Sequence, residues 1–232
     1  MRPSPSRRPA VAATLAALVL AAPGLAGCAA MEPPQVSATG VDTLVSPLTT
    51  LDARDWSTTL DHPDLALDAV RSFDDGSTLQ VAAGSVQVGG VATTALVDTA
   101  ADGSTTTRLV AQDVEGNVWW LGLESSADPA SDWLAGEDGA QAGLLLPASP
   151  RRGDGWATAG AGQAGESVST VIATDAQLTL LDGAYSGVLV IETVDADGDT
   201  ERQYYEPSLG LLAFTDGGVV VGAVDVLGAA TG

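Results

Sequence analysis

Glycine recurs at near-even spacing along most of this chain, usually beside an acid, an asparagine or a second glycine. The signals are Asp75-Gly76, Gly89-Gly90, Asp102-Gly103, Glu115-Gly116-Asn117, Asp182-Gly183, Asp197-Gly198 and Gly217-Gly218. Such pairs supply the positive φ that tight β-turns require. Between them lie runs rich in Val, Thr, Leu and Tyr, at 79–88, 91–98, 105–113, 117–124, 168–174, 177–181, 185–194, 200–206, 211–214 and 219–227. No stretch of convincing helical length is left. The pattern predicts an all-β chain of antiparallel hairpins and meanders, forming a curved sheet, a half-barrel or a sandwich. Within 185–191, Tyr185, Gly187, Leu189 and Ile191 share one face, and Ser186, Val188 and Val190 share the other. Both faces are fairly apolar, as in a strand covered on both sides.

Residues 61–73 are ambiguous. Asp61-His62-Pro63-Asp64 has the composition of a short helix start, whereas Leu65, Leu67, Ala69 and Phe73 alternate as in a strand. The strand is the favoured reading. The stretch 125–165 has few strand signals and many Gly, Ala, Asp and Pro residues, and it is expected to be one long Gly-rich loop pinned by Trp133.

The first 28 residues read as an export signal. Arg2, Arg7 and Arg8 make a positive start, and an apolar run follows at 11–20. That run is too short for a membrane span. Leu25-Ala26-Gly27-Cys28 comes next and resembles the lipobox of bacterial lipoproteins. The resemblance implies cleavage after residue 27 and a diacylglycerol on Cys28, so that the membrane partner is reached through a lipid anchor on the extracytoplasmic face. Two acyl chains give stable anchoring where one is marginal. Residues 28–40 then form the lipidated Cys and tether, and 41–232 a single β domain. Arg7-Arg8 leaves general and twin-arginine export both open. Cys28 is the chain's only cysteine, so the domain is held by its core and not by disulfides.

Charge narrows the partners. The chain has 30 acids and nine arginines, with no lysine. Three arginines fall in the leader, which leaves six against 30 and a net charge of −24. Nucleic acid and anionic headgroups are excluded as direct partners of so negative a surface.

The stretch from Asp113 to Asp154 concentrates tryptophan and glycine. Trp119 and Trp120 point to opposite faces of one strand. One belongs to the core; the other, with Trp133, is a candidate ligand platform. This block resembles a family of uncharacterised secreted and lipid-anchored bacterial proteins. The match falls on Asp113, Gly116, Asn117, Val118, Trp119, Trp120, Gly122 and Glu124, then Trp133, Gly136, Asp138, Gly139, Ala140 and Gly143, then Pro150, Gly153 and Asp154. It continues at Tyr204-Tyr205-Glu206-Pro207 and Leu209-Gly210-Leu211-Leu212, and covers about 79–215. Gly122-Leu123-Glu124 is one residue longer than the family's Gly-Glu, and Trp156 replaces another type of aromatic. The resemblance implies an extracytoplasmic β domain and no particular activity.

Catalytic signals are poor. His62 is the only histidine and sits beside Pro63, so a Ser-His-Asp arrangement has little to build on. With one cysteine and one histidine, zinc and copper sites are not expected. The one metal lead is Asp195-Ala196-Asp197-Gly198-Asp199 with Glu206, whose alternate carboxylates imitate a calcium loop. Its Gly stands fourth instead of sixth, and an acidic hairpin tip is the favoured reading. Arg152-Gly153-Asp154 spells an adhesive tripeptide by coincidence. The expected function is a non-enzymatic surface lipoprotein that binds an apolar ligand or an envelope partner. A structural or adhesive domain, with or without calcium at Asp195, Asp197 and Asp199, is the alternative, and an acid-pair hydrolase comes third.

Overall fold

The computed structural model describes residues 51, 56–62, 70–82, 86–158, 167–195 and 197–224. The leader, Cys28 and the tether lie outside the described residues, as do 63–69, which carry most of the ambiguous strand, and 225–232.

The fold is all-β and antiparallel. In chain order the strands are β1 (Arg71–Ser72), β2 (Thr78–Ala82), β3 (Gln87–Val88), β4 (Val91–Ala92), β5 (Thr94–Thr99), β6 (Thr105–Gln112), β7 (Val118–Ser125), β8 (Trp133–Leu134), β9 (Gly143–Leu146), β10 (Gly155–Ala157), β11 (Val168–Leu180), β12 (Gly183–Val194), β13 (Thr200–Glu206), β14 (Gly210–Asp216) and β15 (Val219–Gly222). The first sheet runs β1-β2-β5-β6-β7, with β8 and β9 both on the outer edge of β7. The second is a meander, β10 through β15. A bridge between Phe73 and Ala223 stitches β1 to the end of β15, and the Asp74 N–H adds a bond to the Gly222 carbonyl. The sheets thus share one seam without closing into a barrel. Both contribute to one core, in which Leu109, Leu121, Leu144, Leu146, Trp156, Val188 and Leu212 are fully buried.

The hairpins explain the glycine spacing. In 73–77, 100–104, 113–117 and 195–199 the first residue's N–H reaches the fifth residue's carbonyl, and the fourth residue's N–H returns to the first's carbonyl. The fourth residue is always glycine, with φ of 86°, 85°, 97° and 88°. This is the three-residue hairpin loop in which a type I turn closes on a left-handed glycine. Gly89-Gly90 and Gly217-Gly218 instead make two-residue turns with both φ positive.

The stretch 125–165 is not one loop. After a short 3-10 turn at Pro129–Ser131, β8 pairs with Gly122 and Leu123, the chain leaves over 135–142, and β9 pairs with Val118, Trp119 and Trp120. One edge of β7 is therefore served by a strand with an excursion in its middle. Glycine and alanine hid it, because they weaken strand signals while letting backbones approach. A Cβ on Gly122 would lie 2.7 Å from Leu134 Cδ2 and 3.0 Å from the Trp133 carbonyl oxygen. Then β10 opens the second sheet, and 159–166 lie outside the described residues.

The β11–β12 hairpin is the longest. Register shifts between Val171 and Gln177, with Gly187 at φ 70°, bend it. Its far end crosses β15, so that Leu180 lies against Gly222. There Tyr185 donates its hydroxyl proton to Asp182 Oδ2 at 2.7 Å, close to Arg71, whose Nη2 donates to the Leu209 carbonyl. Burial, more than the charges around it, holds the Arg71 guanidinium below its ordinary pKa.

Candidate functional site

Period-2 alternation should place apolar residues on the inward face of each sheet. On β5 and β6 it does so at one end and fails at the other. Leu96 pairs with Arg108, and Asp98 pairs with Thr106. Along β6, residues 105–108 are half-buried and 109–112 are buried. On β13, Glu201, Gln203 and Tyr205 share a face; Tyr205 is buried, while Glu201 is exposed. The two sheets therefore enclose an apolar core at one end and part into a mouth of mixed polar and apolar groups at the other.

That mouth is a cleft of about 420 Å³. Sheet one supplies Thr78, Asp98, Thr99, Thr106 and Arg108, and sheet two supplies Glu201, Gln203, Leu211, Phe214 and Asp216. Phe73 backs Phe214 edge-on, with centroids 5.1 Å apart and planes at 75°. Arg108 donates to Asp98 Oδ2 from both Nη2, at 2.7 Å, and Nε, at 3.2 Å. Burial pulls the Arg108 guanidinium down, but Asp98, with Tyr205 and Glu201, outweighs it and holds the pKa above the ordinary arginine value. Gln203 donates to Glu201 Oε1 at 3.0 Å and accepts the Tyr205 hydroxyl proton at 2.7 Å. A second hollow of about 280 Å³ is lined by Trp133, one of the expected platform residues, together with Glu124, Asp132, Glu137 and Asp138.

The expected platform residues lie away from the larger cleft. Trp119 is 3% exposed, in the core, with its indole N–H donated to Asp113 Oδ2 at 2.8 Å, so it offers no face to a ligand. Trp120 is half-buried and donates to the Gly122 carbonyl at 2.7 Å. Its ring packs on buried Trp133 at 5.3 Å. The two rings therefore fasten β8 to β7, and neither lines the cleft.

The calcium reading does not fit the hairpin tip. Asp195 Oδ1 is occupied by the amides of Asp197, at 3.0 Å, and Asp199, at 2.8 Å. Glu206 closes the other end of β13, about 20 Å away for a six-residue extended run. Among the described residues no group of three His, Cys, Asp or Glu side chains is placed to hold a metal ion.

His62 is buried, and its Nε2–H donates to the Pro147 carbonyl at 3.0 Å. Asp61 N–H reaches Gln112 Oε1 at 2.8 Å. Residues 56–62 thus strap the end of β6, and the continuation of the expected strand over 63–69 lies outside the described residues. Asp154, from the adhesive-like tripeptide, is 2% exposed and accepts the Arg151 amide at 2.9 Å, closing a turn whose residues 151–153 are exposed.

The cleft residues carried no motif in the sequence. Their one signal was polarity at inward positions, which is readable only once the register is known. No family model, no curated protein and no solved structure matches this chain.

Proposed function

We propose that the chain is a lipid-anchored, extracytoplasmic binding protein with no catalytic activity of its own, related to the lipoproteins its central block resembles. In this reading Cys28 carries the anchor, 29–40 form the tether, and the β domain presents the mouth between its sheets to a ligand. The cleft carries the proposal. Its volume falls in the range of small-molecule sites, about 300–1,000 Å³, and its walls combine one aromatic face with several polar groups held by the strand framework. Against catalysis, the single histidine is locked on a backbone carbonyl inside the strap. The cleft is amphipathic, with Phe73, Leu211 and Phe214 beside Asp98, Arg108 and Gln203, which suits a ligand that has both apolar and polar faces. Arg108 and Asp98 satisfy each other in part, and Gln203 is bonded to Glu201 and Tyr205, so the polar groups are held in place before a ligand arrives.

Native mass spectrometry of the protein purified from its own host tests the site. A retained small molecule is expected, and it should be lost in Phe214→Ala. A bare mass in the wild type, or a ligand unaffected by the substitution, would place the function elsewhere. Fractionation of Cys28→Ser tests the anchor: the variant should move from membranes to the soluble fraction, and continued membrane association would overturn that part.

A further inference from the structure

We infer that the cleft recognises a non-acidic saccharide. The inference rests on the proposed binding role and names the ligand class. Three features of the walls point to it.

The first is an unspent donor and acceptor side by side. Both contacts of Arg108 go to the same oxygen of Asp98, Oδ2. Among the described residues, nothing else is bonded to Asp98 Oδ1 or Arg108 Nη1. A carboxylate oxygen only accepts and a guanidinium N–H only donates. A pair of neighbouring ring hydroxyls, each both donor and acceptor, satisfies the two together. Arg108 and Asp98 are also half-buried and locked on paired strands, so little side-chain entropy is lost on binding.

The second is hydroxyl supply. Thr78, Thr99 and Thr106 line the cleft, and their side chains have no hydrogen-bond partner among the described residues. A ligand that is polar around its rim can use them. The third is Phe214, half-buried and braced by Phe73, which gives a ring surface for the C–H face of a sugar.

Charge sets the limit. Arg108 is bonded to Asp98 and also faces Glu201, and with Asp75 and Asp216 four carboxylates line a cleft that holds one guanidinium. Unbalanced carboxylates in a partly enclosed site repel an anion. Neutral and amine-bearing sugars are admitted, and uronic acids are rejected.

Isothermal titration of the full chain in detergent, with three trisaccharides of similar size, tests this. Cellotriose and the glucosamine trimer are expected to bind in the micromolar to millimolar range, and trigalacturonate is expected not to bind. Phe214→Ala should weaken both ligands by about tenfold. Thr106→Val keeps the β-branched shape and removes only the hydroxyl, so it should fold normally and weaken binding by about fivefold. No heat with either sugar, equal binding of trigalacturonate, tighter binding of a basic tripeptide, or full affinity in Thr106→Val would each overturn the inference. A non-sugar mass retained by the native protein would keep the site and reject the ligand class. A bare mass together with no sugar binding would reject both.

Discussion

Asp113 accepts the indole proton of Trp119 at 2.8 Å, across the hairpin that joins β6 to β7. The same carboxylate accepts the amides of Glu115 and Asn117, each at 2.9 Å, and the Asn117 side-chain N–H at 2.9 Å. Asn117 Oδ1 then takes the Ala148 amide at 2.9 Å, tying in the chain after β9. Asp-x-x-Gly-Asn-x-Trp is thus a closed set of donors and acceptors. Removing the carboxylate orphans a buried indole N–H and a buried amide. Asp113→Ala is expected to lower stability by about 3 kcal/mol. Trp119→Phe in the same background should show strong non-additivity in urea unfolding, because both changes break one bond. Additive losses would mean that the contact contributes nothing.

Gly122 is needed because β8 lies where its side chain would be. The Leu134 methyl can shift, but the Trp133 carbonyl belongs to the pairing backbone. Gly122→Ala is expected to cost about 2 kcal/mol. It should also move tryptophan emission to the red as the Trp120–Trp133 pair opens. Unchanged emission and midpoint would show that the excursion absorbs the methyl group.

Ser208 holds φ at 84°, the third position of a turn closed by the Leu209 amide on the Glu206 carbonyl. That position of a type II turn favours glycine. Ser208→Gly relieves about 1–2 kcal/mol of left-handed strain and gives back about 0.4–1 kcal/mol through the looser unfolded chain. A net gain of about 1 kcal/mol is expected. A lower melting temperature would show that the contact of Ser208 Oγ with Glu206 matters more.

Tyr185 is pushed up to about 12 by burial, then by its hydrogen bond to Asp182 and that residue's charge. The folded state therefore holds the phenol proton more tightly than the unfolded chain, whose value is 10.0. Stability should be constant with pH below 10 on this account, and should fall as pH rises from 10 through about 12. Absorbance titration at alkaline pH should show one of the three tyrosines ionising late. In Tyr185→Phe the late step and the alkaline loss should both vanish.

Asp195 acts through hydrogen bonds to its own turn. Asp195→Ala is expected to cost about 1 kcal/mol, equally with added calcium or with a chelator. A melting temperature that rises with calcium would restore the metal reading.

Much of the architecture was legible along the chain. Acid-Gly and Gly-Gly pairs mark most of the hairpins, since only glycine adopts those φ values without strain. What could not be read was β8, β9 and β10. Trp133-Leu134 and 143–146 pair only with β7, and their glycines and alanines carry no periodic signal. Alternation puts Trp119 and Trp120 on opposite faces of one strand, but which partner each would meet was open. Trp133 came to Trp120 only because β8 folded back on β7.

The sequence by itself therefore determined the fold class, the turns and the negative surface, because each follows from local φ preference, alternation or composition. Only the tertiary structure decided where the cleft lies. Asp98, Thr106 and Arg108 are separated by more than 90 residues from Glu201, Gln203 and Phe214. Their meeting depends on the register of two sheets and on the angle at which the sheets part, and neither is encoded in any short stretch of the chain.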